Sequence, residues 1–142
     1  MNDKDQPLHV LEIRNDRREI DRAQGQVLAA AEALGYPKAS RFAVRLALEE
    51  AISNAFRHGH RGLAEDETVR LEYSVGAQEI HLAVEDKGPG YRPQDVPDPT
   101  LDANLEQLSG RGMVLIRAYM AHVAHNPAGN RLEMVYKRPA GT

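Results

Sequence analysis

The chain has 142 residues, 42% of them hydrophobic, with a net charge of -3 and a pI near 6.1, a length that suits one domain able to bury roughly two thirds of its unfolded surface. No cysteine is present, which excludes disulfides, thiolate catalysis and cysteine-ligated zinc, and no apolar run is long enough to span a membrane. The mild acidity lacks the basic footprint of a nucleic-acid binder, and the polar start from Met1 to Gln6 is no signal peptide, so a cytoplasmic protein without nucleic-acid or membrane partners is expected.

Leu8 to Ile13 reads as a short strand with imperfect alternation, suited to a sheet edge. From Arg18 to Leu34, the positions Ile20, Ala23, Val27, Ala30 and Leu34 recur at helical spacing, and Gly35 follows as a C-terminal cap. Pro37 opens a second helix predicted over Lys38 to Arg57, with Val44, Leu48, Ala51 and Ala55 on one stripe and Gly59 and Gly62 ending it. Thr68 to Val75 alternates cleanly, Gly76-Ala77-Gln78 turns the chain, and Glu79 to Asp86 returns with Ile80, Leu82 and Val84 inward. The same parity assigns Asp86 to the buried face. The stretch from Lys87 to Ser109 carries Pro89, Pro93, Pro97 and Pro99 and is too long for an ordinary connection, so it reads as a lid. Gly112 to Met120 is a predicted helix, His122 to His125 a short strand, Asn126 to Asn130 a turn and Arg131 to Lys137 a last alternating strand. Helices early and hairpins late imply an α/β two-layer sandwich, an α+β arrangement with helices on one face of a mainly antiparallel mixed sheet.

Three short signatures bear chemistry. Glu50, Asn54 and His58 stand at i, i+4 and i+8 on one side of the second helix, roughly opposite Leu48. Asn54 offers a neutral amide oxygen that can ligate Mg²⁺ while leaving the ion its charge for phosphate. Glu50, one turn earlier, can take a proton from a hydroxyl or a water. A solvated polar helix face has the same spacing. Asp86 ends a strand and leads into Gly88 and Gly90, where the backbone lets a flat ligand come close. Its oxygens suit an exocyclic amine such as that of adenine, although Asp-x-Gly also closes ordinary turns.

Gly110, Arg111 and Gly112 precede a helix whose free amides attract phosphate, and Arg111 can add charge-assisted contacts. No Gly-x-x-x-x-Gly-Lys-[Ser/Thr] loop occurs, which excludes a P-loop ATPase. The pairs His58/His60 and His122/His125 lack metal-ligand spacing, and Ser53 and Ser109 lack the context of a nucleophile.

In this order the signatures resemble the N, G1 and G2 boxes of the GHKL (Bergerat-fold) ATPase superfamily. Leu48-Glu49-Glu50-Ala51-Ile52-Ser53-Asn54-Ala55 with His58-Gly59, and Gly110-Arg111-Gly112-Met113 before Ile116-Arg117, are most similar to its anti-sigma-factor serine protein kinases. The resemblance runs from about Leu8 to Lys137 and implies a single histidine-kinase-like ATPase domain over the chain. It implies ATP and Mg²⁺ as cofactors, Glu50 as general base, Asn54 as Mg²⁺ ligand and Asp86 as adenine reader. His58, Gly88, Gly90, Gly110, Arg111, Gly112 and Met113 would complete the nucleotide site, with Lys87 to Ser109 as ATP lid. It further implies transfer of the γ-phosphoryl group to a serine on a STAS-type anti-anti-sigma partner and a surface that holds a sigma factor; a homodimer is the expected assembly. The alternative is a non-catalytic ATP-binding adaptor or anti-sigma module whose nucleotide site gates partner binding. The family's last box often has Gly-Thr before the final strand, where this chain has Gly129-Asn130-Arg131-Leu132.

Overall fold

The computed structural model of the chain describes residues 6–59, 63, 66–88 and 110–141. Among them the elements run β1 (His9–Ile13), α1 (Arg17–Ala33), α2 (Lys38–Asn54), a π-turn (Ala55–Gly59), β2 (Val69–Val75), β3 (Glu79–Glu85), α3 (Gly110–Tyr119), β4 (His122–His125) and β5 (Arg131–Lys137). The strands form one sheet in the order β1-β2-β3-β5-β4, with every neighbouring pair antiparallel. The expected mixture of strand directions is therefore not seen among the described strands. The tight β4–β5 hairpin sets β5 against β3 and leaves β4 at one edge, while β1 forms the other, as its weak alternation suggests.

Period-two alternation decides which face of the sheet is covered. Val69, Leu71, Tyr73 and Val75 are buried, and the residues between them are partly exposed. Register aligns them with Ile80, Leu82 and Val84 of β3 and through these with Leu132, Met134 and Tyr136 of β5, giving one continuous apolar surface. α2 sets Val44, Ala47, Leu48, Ala51 and Ile52 against this core, α1 adds Ile20, Ala23, Val27 and Ala31, and α3 adds Ile116. Each such large aliphatic side chain contributes about 1.5–3 kcal/mol when taken fully from water. The other face is charged: Glu12, Arg70, Glu85 and Arg131 stand opposite one another across four strands. Arg131 pairs there with Glu72, Glu85 and Glu133, so alternating signs favour the register on the solvated side.

Local sequence accounts for the helix ends. The Asp16 side chain accepts the Arg18 amide at 2.8 Å as N-cap of α1. At the other end, Tyr36 N–H donates to the Ala31 carbonyl and Gly35 N–H to that of Glu32, with Gly35 at φ +80°, the glycine-closed ending that the sequence implies. Tyr36 then buries its ring and donates its hydroxyl to the Gly76 carbonyl at 2.6 Å, tying the α1–α2 connection to the β2–β3 turn.

The end of α2 departs from expectation. Helical hydrogen bonding of the ordinary kind stops at Asn54, and Ala55–Gly59 continues as a π-turn. A π-turn interposes an extra residue in the i→i+4 ladder, so the i+4 spacing from Asn54 to His58 does not carry through. α3 also starts earlier than expected, with Gly110, Arg111 and Gly112 forming its first turn instead of preceding it. Amides of a first turn have no partner within the helix, so glycine is tolerated there.

Candidate functional site

α2 lies between α1 and α3, and its exposed arc has two flanks. Successive residues turn by about 100° around a helix, so neighbours can face different partners. The adjacent acids Glu49 and Glu50 do so. Glu49 is gripped from α1: Arg17 donates from Nη1 to Oε1 at 2.7 Å and from Nη2 to Oε2 at 2.9 Å, and Gln24 donates from Nε2 to Oε2 at 2.6 Å. Gln24 is only 2% exposed, so this carboxylate takes up a donor that burial would otherwise strand. The paired Arg17 guanidinium holds the Glu49 carboxyl below the usual carboxylate range.

Glu50 is half-buried and makes no hydrogen bond or ion pair among the described residues. Of the two acids, it alone is uncommitted. A groove of about 440 Å³ between α1 and α2, lined by Arg17, Asp21, Phe42, Arg45, Leu46 and Glu49, lies on the committed flank and includes neither Glu50 nor Asn54.

The Glu49 tie has a measurable consequence. A carboxyl with a depressed folded pKa stabilises the fold above its ordinary value of 4.5, and loses that contribution as pH falls through the lower folded value. Both partners are substantially solvated, so Glu49→Gln is expected to cost about 1 kcal/mol at neutral pH. Urea unfolding should show the gap between wild type and variant narrowing as pH falls below 4.5; a constant gap would contradict the assignment.

Asn54 follows Glu50 by one turn, about 6 Å along the axis. Its Oδ1 is buried with no hydrogen-bond partner among the described residues. A buried acceptor left unmade costs about 1–3 kcal/mol, and it suits a hard cation that binds neutral carbonyl oxygens. The amide oxygen thus suits Mg²⁺ carrying a polyphosphate, while the carboxylate one turn earlier stays available to take a proton. His58 lies in the π-turn, and its side chain is outside what is described.

The π-turn ends against the close of β3. Gly59 lies so near Asp86 that a methyl group on its Cα would fall 2.2 Å from Asp86 Cγ and Oδ2. Gly88 approaches equally closely, since a Cβ there would lie 1.8 Å from the Gly59 carbonyl oxygen. Gly88 N–H donates to Asp86 Oδ1 at 2.8 Å, and Asp86 N–H donates to the Asn130 carbonyl at 2.9 Å.

Asp86 is half-buried just beyond the last residue of β3 instead of lying on the buried face. The β4–β5 turn that holds it is shaped by the Asn126 side chain, which accepts the amides of Gly129, Asn130 and Arg131 at 2.8, 3.0 and 3.1 Å. Where the chain has Gly129-Asn130 instead of Gly-Thr, it is therefore the Asn130 backbone that meets Asp86. Lys87, next along, reaches Glu12 of β1 at 3.0 Å and ties this loop to the sheet edge.

α3 packs along α2, with Ile116 buried and Met113 half-buried against the core. Gly110, Arg111 and Gly112 form its first turn, and the side chain of Arg111 lies outside what is described. Gly90 and the remainder of the expected lid, 89–109, also fall outside the described residues. The sequence places Gly59 at a helix stop and in the His58-Gly59 signature, but it shows neither its approach to Asp86 nor that Glu49 is the tied member of the acidic pair. Arg17 and Gln24 stand too far away in sequence for local spacing to reveal that contact. Among the described residues, no helix is long and apolar enough to cross a membrane.

A search of curated proteins finds no match. A family model for the histidine kinase-like ATPase domain matches residues 13–136, from the end of β1 to the end of β5. This span includes the acid and amide of α2, the acid closing β3 and the glycine-opened α3, on a helical layer over an antiparallel sheet. The chain belongs to the histidine kinase-like ATPase family.

Proposed function

We propose that the chain is a Mg²⁺-ATP-dependent protein-serine kinase that also acts as an anti-sigma factor by partner switching. Its acceptor is a serine on a STAS-type anti-anti-sigma protein, and it works in the cytoplasm as a homodimer. The observation that carries this reading is the pairing, one helical turn apart, of a carboxylate on Glu50 and a buried amide oxygen on Asn54, both without a partner among the described residues. A net charge of -3 argues for protein over nucleic-acid partners.

Asn54 would hold Mg²⁺ through Oδ1, and Asp86 would accept a hydrogen bond from the adenine amino group. The first-turn amides of α3 would face the phosphates. When bound, Mg²⁺-ATP supplies the phosphoryl group and the charge that offsets its transfer. Glu50 accepts the serine hydroxyl proton as that oxygen bonds to the γ-phosphorus. The bond to the bridging oxygen breaks, and ADP leaves with its electron pair.

Incubation with labelled ATP and a serine-bearing STAS partner tests the reading. Label on the serine is expected; tight partner binding with no transfer would instead favour the non-catalytic adaptor. Asp86→Asn should weaken ATP more than GTP in calorimetry, because adenine carries at C6 an amino group that donates to the carboxylate, where guanine has a carbonyl. An equal loss for both nucleotides would remove the adenine-reading role.

A further inference from the structure

Gly59 stands at a helix end, the usual place for a glycine that must adopt a positive φ. The described glycines with positive φ are Gly35, Gly129 and Gly141, and Gly59 is not among them. It caps nothing by backbone freedom. What distinguishes it is the absence of a side chain at the point where the π-turn meets Asp86.

Among the described residues, Asp86 is held from three sides. Its N–H is fixed by the Asn130 carbonyl at 2.9 Å, its Oδ1 by the Gly88 amide at 2.8 Å, and its carboxylate rests against Gly59. A methyl group on Gly59 would lie 2.2 Å from Cγ and Oδ2 and 2.6 Å from Oδ1. That overlap reaches the carboxyl carbon of a short side chain, not the tip of a flexible one. Relief requires a shift on the order of 1 Å, the distance that separates van der Waals contact from this overlap. Such a swing takes Oδ1 away from Gly88.

We propose that Gly59 is a positioning residue that determines adenine specificity, holding the Asp86 carboxylate in register through its bare Cα. The inference rests on the nucleotide-binding reading above. It also gives the π-turn a purpose: the turn starts immediately after Asn54 and ends on Gly59, so one short segment joins the metal-binding amide to the support of the base reader. A π-turn following a helix at a functional site fits this use.

The test is calorimetry of Mg²⁺-ATP and Mg²⁺-GTP on the full chain, beside thermal unfolding without nucleotide. Gly59→Ala should reduce ATP affinity by about 10- to 100-fold, as a displacement near 1 Å can, and GTP affinity by much less. Combining it with Asp86→Asn should cost no further ATP preference, because both changes break the same contact. Asp86→Glu leaves Gly59 untouched but lengthens the acid by one methylene, which cannot fit against Gly59. It should lose the preference as fully as Asp86→Asn does, and this reports on the contact even where Gly59→Ala folds poorly.

A wild-type ATP/GTP ratio in folded Gly59→Ala, an equal loss for both nucleotides, or a retained preference in Asp86→Glu would overturn the inference. Absence of ATP binding by the wild type would instead overturn the kinase reading on which it rests.

Discussion

Glu50→Gln is expected to bind Mg²⁺-ATP about as well as the wild type while transferring phosphoryl groups roughly 10²- to 10⁴-fold more slowly, the usual worth of a positioned general base. Glutamine keeps the size and polarity of the side chain, so packing on α2 is preserved. Glu50 is engaged in no hydrogen bond or ion pair among the described residues, so no structural tie is lost with its charge. The adjacent acid supplies the control. Glu49→Gln loosens the contact to Arg17 and Gln24 and lowers stability, but should leave transfer within a few-fold of wild type. Single-turnover assays with labelled ATP and a STAS partner separate the two. Transfer at the wild-type rate in Glu50→Gln, or an equal collapse in Glu49→Gln, would remove Glu50 from the catalytic role.

Asn54→Ala is expected to abolish the Mg²⁺-dependent part of ATP binding without lowering the melting temperature of the nucleotide-free chain. The two outcomes share one cause. Oδ1 of Asn54 is buried and unpartnered among the described residues, so in the absence of a ligand it is a cost on the order of 1–3 kcal/mol, not a contact. Alanine removes that cost together with the metal ligand, and stability is held or gained where function is lost. Calorimetry with and without Mg²⁺, beside scanning calorimetry of the free chain, checks both. Retained Mg²⁺ dependence would show that the ion is held elsewhere. A large drop in melting temperature would mean that the amide has a structural role instead.

Much of the fold was legible because the chain repeats its instructions at short range. Val69, Leu71, Tyr73 and Val75 alternate in sequence and are buried in the structure. His122–His125 and Arg131–Lys137 begin and end where their turn residues imply. The glycine after α1 adopts the left-handed conformation that its position requires. The two boundaries that moved by more than one residue are those where glycines stand next to helices. A glycine does not say whether it ends a helix, joins its first turn or clears space for a neighbour. At Gly110 the helix runs through it; at Gly59 the residue clears space for Asp86.

By itself the sequence determined the two-layer architecture, the edge position of β1, the faces of the strands and the i, i+4 relation of Glu50 to Asn54, since all of these follow from periodicities of two and 3.6 residues. Only the tertiary structure decided which of two adjacent acids is tied, because Arg17 and Gln24 reach Glu49 from another helix. It alone put Gly59, Asp86, Gly88 and the Asn130 carbonyl in contact. Those approaches depend on how the end of a helix meets the end of a strand, and no pattern within either element encodes that distance.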